Sequence, residues 1–273
     1  MTKKVLKKLL DPLLGMFWRI KKKPYTIGYG YVKKKEIIKA LEKSNKDLNV
    51  SNAKGLDERI VEYKWIFQHI SNLKNKNLLD AGSTMNFDFI LSRINSSNNI
   101  TIQTLSPENQ NYNKLNVSYV YEDLRNKVFH EEYFDYILCI STLEHIGFDN
   151  SLYNYTDSEM HKSEKNQNES YLETISEFKR TLKKDGKLLI TIPFGKKAYF
   201  NHLQQFDSSD LKRIIKKFNP TDYKIKFSTY SKFQWVECNE EDCRESEIRV
   251  DLSKNTHDHL PSCRSICLIE LIK

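Results

Sequence analysis

Two short blocks hold the side chains of this chain that could do chemistry. Residues 77–83 read Asn-Leu-Leu-Asp-Ala-Gly-Ser, and residues 134–147 read Phe-Asp-Tyr-Ile-Leu-Cys-Ile-Ser-Thr-Leu-Glu-His-Ile-Gly. In each, an apolar run gives way to small or polar residues: Asp80, Gly82 and Ser83 in the first, Ser141, Glu144 and His145 in the second. An imidazole titrates near neutrality, so His145 is the best candidate for a general base. It equally fits a ring hydrogen-bonded within its turn to fix the loop. Glu144 could orient that ring or bind a substrate. Gly82 suits a tight turn where backbone comes close to a ligand.

The elements that must position these residues alternate in type. Apolar runs predict strands at 77–81, 100–105, 117–121, 134–140 and 187–193, with closing strands at 223–228 and 266–272. Helical patterns lie between them at 87–94, 171–182 and 208–218, and ahead of them at 56–73. Such alternation argues for a parallel sheet with crossover helices. Ligands of open α/β sheets sit outside the carboxyl ends of the strands, where both blocks place their polar residues. The fold expected is therefore α/β, a Rossmann-like, mostly parallel seven-strand sheet with helices on both faces and an N-terminal helical extension.

Charge divides the chain unevenly. Residues 1–54 hold fifteen Lys/Arg against four Asp/Glu, while residues 55–273 hold twenty-nine against thirty-two. A basic extension over 1–54 and a slightly acidic catalytic domain over 55–273 follow. Nucleic acid is a poor partner for such a body, since its enzymes show a basic face on the main domain. Apolar residues at 6, 9, 10, 13 and 17 recur at helical spacing, and Asp11-Pro12 predicts two short helices there. Residues 1–23 could lie on an anionic membrane, at about 1 kcal/mol per surface lysine. They could instead pack on the main domain, at roughly 1.5–3 kcal/mol per large side chain. Residues 25–31, with two glycines, read as a loop with exposed aromatics, and 46–54 as a polar connector. No run of about 18 apolar residues occurs, and no secretory signal is evident. Five cysteines, an odd number, suit reduced thiols in a cytoplasm. The polar stretch 149–170, with Tyr153, Tyr155 and His161, predicts a lid or a disordered insertion directly after the candidate site.

Four blocks in order resemble class I S-adenosylmethionine-dependent methyltransferases, over roughly residues 55–210. They are LLDAGS (78–83), EDL (122–124), FDYILCISTLEHIG (134–147) and LKKDGKLLITIPFG (182–195). The version with STLEHIG, then IPFG, then QQFD (204–207) is similar to small methyltransferases of surface-polysaccharide and glycolipid assembly. The resemblance implies S-adenosylmethionine as cofactor, S-adenosylhomocysteine as product, and a cofactor site drawn from Arg59, Asp80, Gly82, Ser83, Thr104, Leu105, Asp123, Leu124 and Ser141. Asp80 would organise the aminopropyl end, directly or by water, Asp123 would accept from the adenine amine, and Leu124 would lie against the ring. Arg59 or Glu62 could address the carboxylate and ammonium, or simply form a surface helical pair. His145 and Glu144 would be the catalytic residues.

Two departures from the family pattern matter. Ser83-Thr84-Met85-Asn86 replaces the further glycines of the first motif, and Thr104 stands where an acid usually grips the ribose. Losing a charged acceptor costs about 1.5–3 kcal/mol, unless Glu108 or Ser106 compensates. Cys238, Cys243, Cys263 and Cys267, with His257 and His259 between, lack the tight paired spacing of a structural zinc site, so no metal is expected. The function implied is methyl transfer to a hydroxyl of a small or carbohydrate-type acceptor. The alternatives are an N-methyltransferase of an amino sugar or small amine, and a non-catalytic subunit docking through its basic helices. A nicotinamide protein would need G-x-G-x-x-G, which is absent.

Overall fold

A computed structural model describes residues 3–21, 24–43, 47–148, 169–249 and 258–273. The expected lid, with Tyr153, Tyr155 and His161, lies outside the described residues apart from Glu169 and Ser170, as does His257. The chain opens with helices α1 (Lys3–Lys21), α2 (Tyr29–Glu42) and α3 (Arg59–Ile70). Strands and helices then alternate: β1 (Asn77–Ala81), α4 (Asp88–Leu91), β2 (Asn99–Thr104), β3 (Val117–Tyr121), β4 (Phe134–Ile140), α5 (Tyr171–Thr181) and β5 (Leu182–Pro193). A small hairpin of β6 (Ala198–Tyr199) and β7 (Gln204–Gln205) precedes α6 (Ser208–Phe218). The chain closes with β8 (Asp222–Ser231), β9 (Gln234–Cys238), α7 (Glu240–Cys243) and β10 (Ser265–Ile272).

The main sheet runs β3-β2-β1-β4-β5-β10-β8-β9. Strands β3 to β5 in that order are mutually parallel, and β10 runs antiparallel between β5 and β8. This is the Rossmann-like, mostly parallel fold expected, with eight strands instead of seven. The extra strand, β9, folds back on β8 and pairs Tyr230 with Trp235. Its sequence has only short apolar alternation, and its position depends on Trp235, which is fully buried and donates from Nε1 to the Leu56 carbonyl at 3.0 Å.

Consecutive residues of the central strands enter different cores. Leu78, Leu138, Leu189 and Leu268 join α2 and α3 on one face, while Leu79, Ile137, Ile190 and Ile269 join α5 and α6 on the other. Strands covered on both faces read as continuous apolar runs, which is why β1 and β4 match their expected ranges; β3 matches too, although it is an edge strand and only partly buried. Helix α6 has its own start signal. Asp207 accepts from the amides of Ser209 and Asp210 at 2.8 and 3.0 Å, and Asp210 accepts from the Asp207 amide at 3.3 Å, a reciprocal cap.

Several local expectations change. Instead of two short helices, α1 is continuous through Pro12. Pro12 is exposed, and its missing N–H leaves one carbonyl a turn earlier without its helical donor. Within 25–31 only the first part is a turn: Gly28 adopts φ +88° against the Leu14 carbonyl, and Tyr29 begins α2 and is buried. The helix expected over 87–94 shortens to the single turn of α4. Strand β5 begins at Leu182, its pairing with β4 shifting register across the Lys183–Gly186 region, where Asp185 has φ +60°. The connector after residue 46 is less polar than it reads, because Leu48 and Ala53 are buried and Val50 bridges to Trp235. Trp18, Tyr29, Val32 and Ile37 share a core with α3 and the sheet, so the basic N-terminal segment packs against the main body.

Candidate active site

At the carboxyl ends of β1 to β4 lies a cleft of about 530 Å³. It sits where strand order reverses between β1 and β4, the switch point at which open α/β sheets bind ligands. Its size is that of a small-molecule site.

The floor is set by contact between two turns. A Cβ on Gly82 (φ +109°) would stand 2.2 Å from Thr142 Oγ1. Glycine is therefore required by the protein's own close approach at this point. Ser83 follows with φ +62°, and its buried Oγ makes no hydrogen bond. Gly82, Ser83 and Thr142 all line the cleft. Asp80 does not line it, so the geometry gives no direct contact with a ligand there. Its buried carboxylate turns into the following loop and accepts from Thr84 N at 3.2 Å, Thr84 Oγ1 at 3.1 Å and Met85 N at 2.8 Å. These bonds hold a loop that lacks further glycines. Burial nevertheless outweighs them and pushes Asp80 up to about 7.

The ends of β2 and β3 supply the next wall, with Thr104, Leu105, Glu108, Glu122, Asp123 and Leu124. Asp123 lines the cleft as expected, and its carboxylate is also gripped by Arg125, at 2.9 Å from Nε and 2.7 Å from Nη2. Sequence reasoning missed Arg125, although the i, i+2 spacing of opposite charges was visible. Gln103 secures this corner by donating to the Asp123 carbonyl at 2.9 Å. Glu108 is anchored by Asn86 Nδ2 at 2.8 Å. A carboxylate thus faces the cleft although Thr104 itself is not an acid.

Helix α3 closes the site from above the β4 and β5 tips. Glu62 is fully buried, so a surface pair with Arg59 is excluded. Glu62 Oε1 accepts from Ser141 Oγ and Thr191 Oγ1, each at 2.5 Å. Ser141, at φ +39°, lines the cleft. Arg59 Nη1 stands 2.9 Å from Glu62 Oε2, yet neither buried atom makes an aligned hydrogen bond. Tyr63 donates to the Thr84 carbonyl and ties α3 to the loop after β1. From α2 and the turn before it come Tyr25, Tyr29, Lys33 and Lys34. Burial alone would raise Asp57, but Lys33 at 2.6 Å holds it below its ordinary value. None of these N-terminal residues was foreseen at the site, because nothing in their spacing marks them.

His145 lines the cleft and places Nδ1 2.7 Å from the His202 carbonyl. That carbonyl can only accept, so Nδ1 carries the proton and Nε2 is the basic nitrogen. Burial pushes the ring down to about 4, well below its ordinary value, so it is neutral at pH 7. Glu144 is a correction. Its carboxylate is buried away from the cleft, burial drives it well above its ordinary value, and it does not orient His145. The turn after β4 points successive side chains in different directions, and the ring's partner comes from residue 202.

The cysteines are divided between the cores. Cys263 belongs to the α2–α3 side, and Cys243 and Cys267 to the α5–α6 side. Cys238 and Cys243 lie with sulfurs 3.1 Å apart. Among the described residues no His, Cys, Asp or Glu cluster could hold a metal ion.

No protein-family model and no curated protein matches this sequence. Several solved structures superpose on part of the chain. The 1,6-didemethyltoxoflavin-N1-methyltransferase of Burkholderia thailandensis, bound to S-adenosylhomocysteine, superposes with a TM-score of 0.45 at 13% identity, over 78% of this chain and 76% of that one. An S-adenosylmethionine-dependent methyltransferase from Thermotoga maritima gives 0.44 at 14%, covering 79% and 89%. One from Methanosarcina mazei gives 0.41 at 12%, covering 74% and 94%.

Proposed function

We propose that this protein transfers a methyl group from S-adenosylmethionine to a hydroxyl of a small or carbohydrate-type acceptor. The observation that carries the reading is that Arg59, backed by Glu62 at 2.9 Å, and Ser83, whose buried Oγ makes no hydrogen bond, both line the cleft. A buried polar atom without a partner is costly, so the Ser83 hydroxyl is open to a ligand, and Arg59 adds a cation to the same wall. The amino-acid end of the cofactor is their complement. Its carboxylate suits Arg59 and Ser83, while Glu62 acts by holding Arg59. Asp123 and Leu124 offer an acceptor and an apolar face for adenine. Glu108, beside Thr104 and Leu105, supplies the carboxylate for the ribose hydroxyls.

When bound, the cofactor supplies a methyl group activated by its sulfonium, with S-adenosylhomocysteine as the product. The chain's own part is to align the acceptor and accept its proton. His145, neutral with Nε2 basic, is the residue for the second task. A base of low pKa is weak but stays unprotonated across the physiological range. An amino sugar or small amine is the alternative acceptor class. Assignment to surface-polysaccharide or lipid-linked sugar assembly rests on the resemblance of the STLEHIG, IPFG and QQFD blocks alone, and a cytoplasmic location rests on cysteine usage.

Isothermal titration calorimetry of the full chain with S-adenosylmethionine and S-adenosylhomocysteine tests the reading. Micromolar binding that is lost in Arg59→Ala is expected. Absence of binding at millimolar cofactor would reject it and favour the non-catalytic docking subunit, which Thr104 independently suggests.

A further inference from the structure

Helix α1 has two apolar faces, and only one is used. Leu14, Gly15 and Trp18 pack inward, Gly15 against Tyr31 and Trp18 against Tyr29 at 5.6 Å between rings. Leu10, Leu13, Met16, Phe17 and Ile20 face away and are 43–80% exposed. At 100° per residue these five fall within one third of the helix circumference. Large contiguous apolar patches on a soluble surface mark interaction sites.

Charge decides the occupant. The same helix contains Lys3, Lys4, Lys7, Lys8, Arg19 and Lys21 against the single acid Asp11. Residues 1–54 hold the whole positive surplus of the chain, while the remainder is slightly negative. A second copy docking stripe to stripe would bring two such helices together, and like charge opposes that. A surface that is apolar and anionic at once complements both features, and a bilayer containing anionic lipid is such a surface. The helix is not apolar enough to cross: among the described residues no helix qualifies as a membrane span.

We propose that α1 lies in the plane of an anionic bilayer, inserting Leu13, Met16, Phe17 and Ile20 at the headgroup boundary. The placement bears on the cleft. The Leu14 carbonyl abuts Gly28, whose turn also presents exposed Ile27 and Tyr25, and Tyr25 and Tyr29 line the cleft. Resting on the methyl-transfer reading, this makes a lipid-borne acceptor the substrate class that the cleft would meet first.

Flotation of the full chain with vesicles tests the surface without cofactor, so its outcome is separate from that of the calorimetry. Phosphatidylcholine vesicles are compared with vesicles containing about one-third phosphatidylglycerol. Wild type should float with the anionic vesicles only, and less as salt rises. Phe17→Glu with Ile20→Glu should weaken binding about tenfold or more while leaving the melting temperature unchanged, since both side chains are exposed. Leu13→Ser with Met16→Ser is an independent pair on the same stripe. Failure of wild type to float, equal flotation on neutral vesicles, or retention by both variant pairs would each overturn the proposal. So would a dimer, seen by sedimentation, that both variant pairs abolish.

Discussion

Thr191 on β5 donates a hydrogen bond of 2.5 Å to Glu62 on α3, 129 residues apart in sequence. The same carboxylate oxygen receives Ser141 from the tip of β4, while the other faces Arg59. One buried acid therefore fixes a helix over two strand tips and leaves an arginine pointed at the cleft.

Removing that acid should be severe. Glu62→Ala strands Arg59, Ser141 and Thr191, and breaking a buried charged pair costs about 3–5 kcal/mol. Urea denaturation should show the loss. Glu62→Gln, which can still accept from both hydroxyls, should fold with a smaller loss but bind S-adenosylhomocysteine more weakly by calorimetry.

At the other end of the cleft, Asp123→Ala should weaken cofactor binding by about ten- to a hundredfold, the worth of one charged acceptor. Its partner Arg125 is partly exposed and can return to water, so the unfolding midpoint should move little. Unchanged affinity would remove Asp123 from the site.

Turnover should depend on pH in an unusual way. With His145 pushed down to about 4, the rate should stay flat from pH 8 to about 5 and fall only as the ring gains a proton near 4. His145→Ala should slow methyl transfer, spare cofactor affinity and remove that limb. Stability follows the same group. The folded pKa lies below the unfolded value of about 6.5, so the unfolded chain binds the proton first. The contribution is complete above pH about 6.5 and is lost as pH falls through about 4. A single acid limb near 6.5 in the wild-type rate profile would eliminate His145 as the base.

Gly82→Ala forces a Cβ to within 2.2 Å of Thr142 Oγ1 at φ +109°. Strain of this kind costs about 1–3 kcal/mol and should lower the melting temperature and cofactor affinity together. Adding Thr142→Ala removes the two nearest clashing atoms, so the double variant should recover part of the loss. A double-mutant cycle with no coupling would show that the two turns do not touch.

Asp80 shows where residue type stops being informative. An acid at the end of the first strand was visible in LLDAGS, and its place at the strand tip followed from the apolar run before it. Its target was not visible, because the direction of the carboxylate depends on Thr84 and Met85 curling back over it. Glu62 is similar. Its helix was legible from a period of apolar residues, but its burial required β4 and β5 to arrive beneath it.

The sequence by itself determined the central strands, because strands covered on both faces must be apolar along their length and end in polar residues; β9 and the strand order were left to the fold. It also put Gly82, Ser83, Ser141 and His145 at neighbouring tips, while Thr104, Asp123 and Leu124 came from the family resemblance. Tertiary structure alone decided that Asp80 and Glu144 turn away, that Arg125 shares Asp123, and that Tyr25, Tyr29 and Lys33 wall the cleft. The physical reason is range. Periodicity and caps are set by residues within a few positions, whereas side-chain direction, burial and the proton on His145 are set by groups dozens of residues distant that only packing brings into contact.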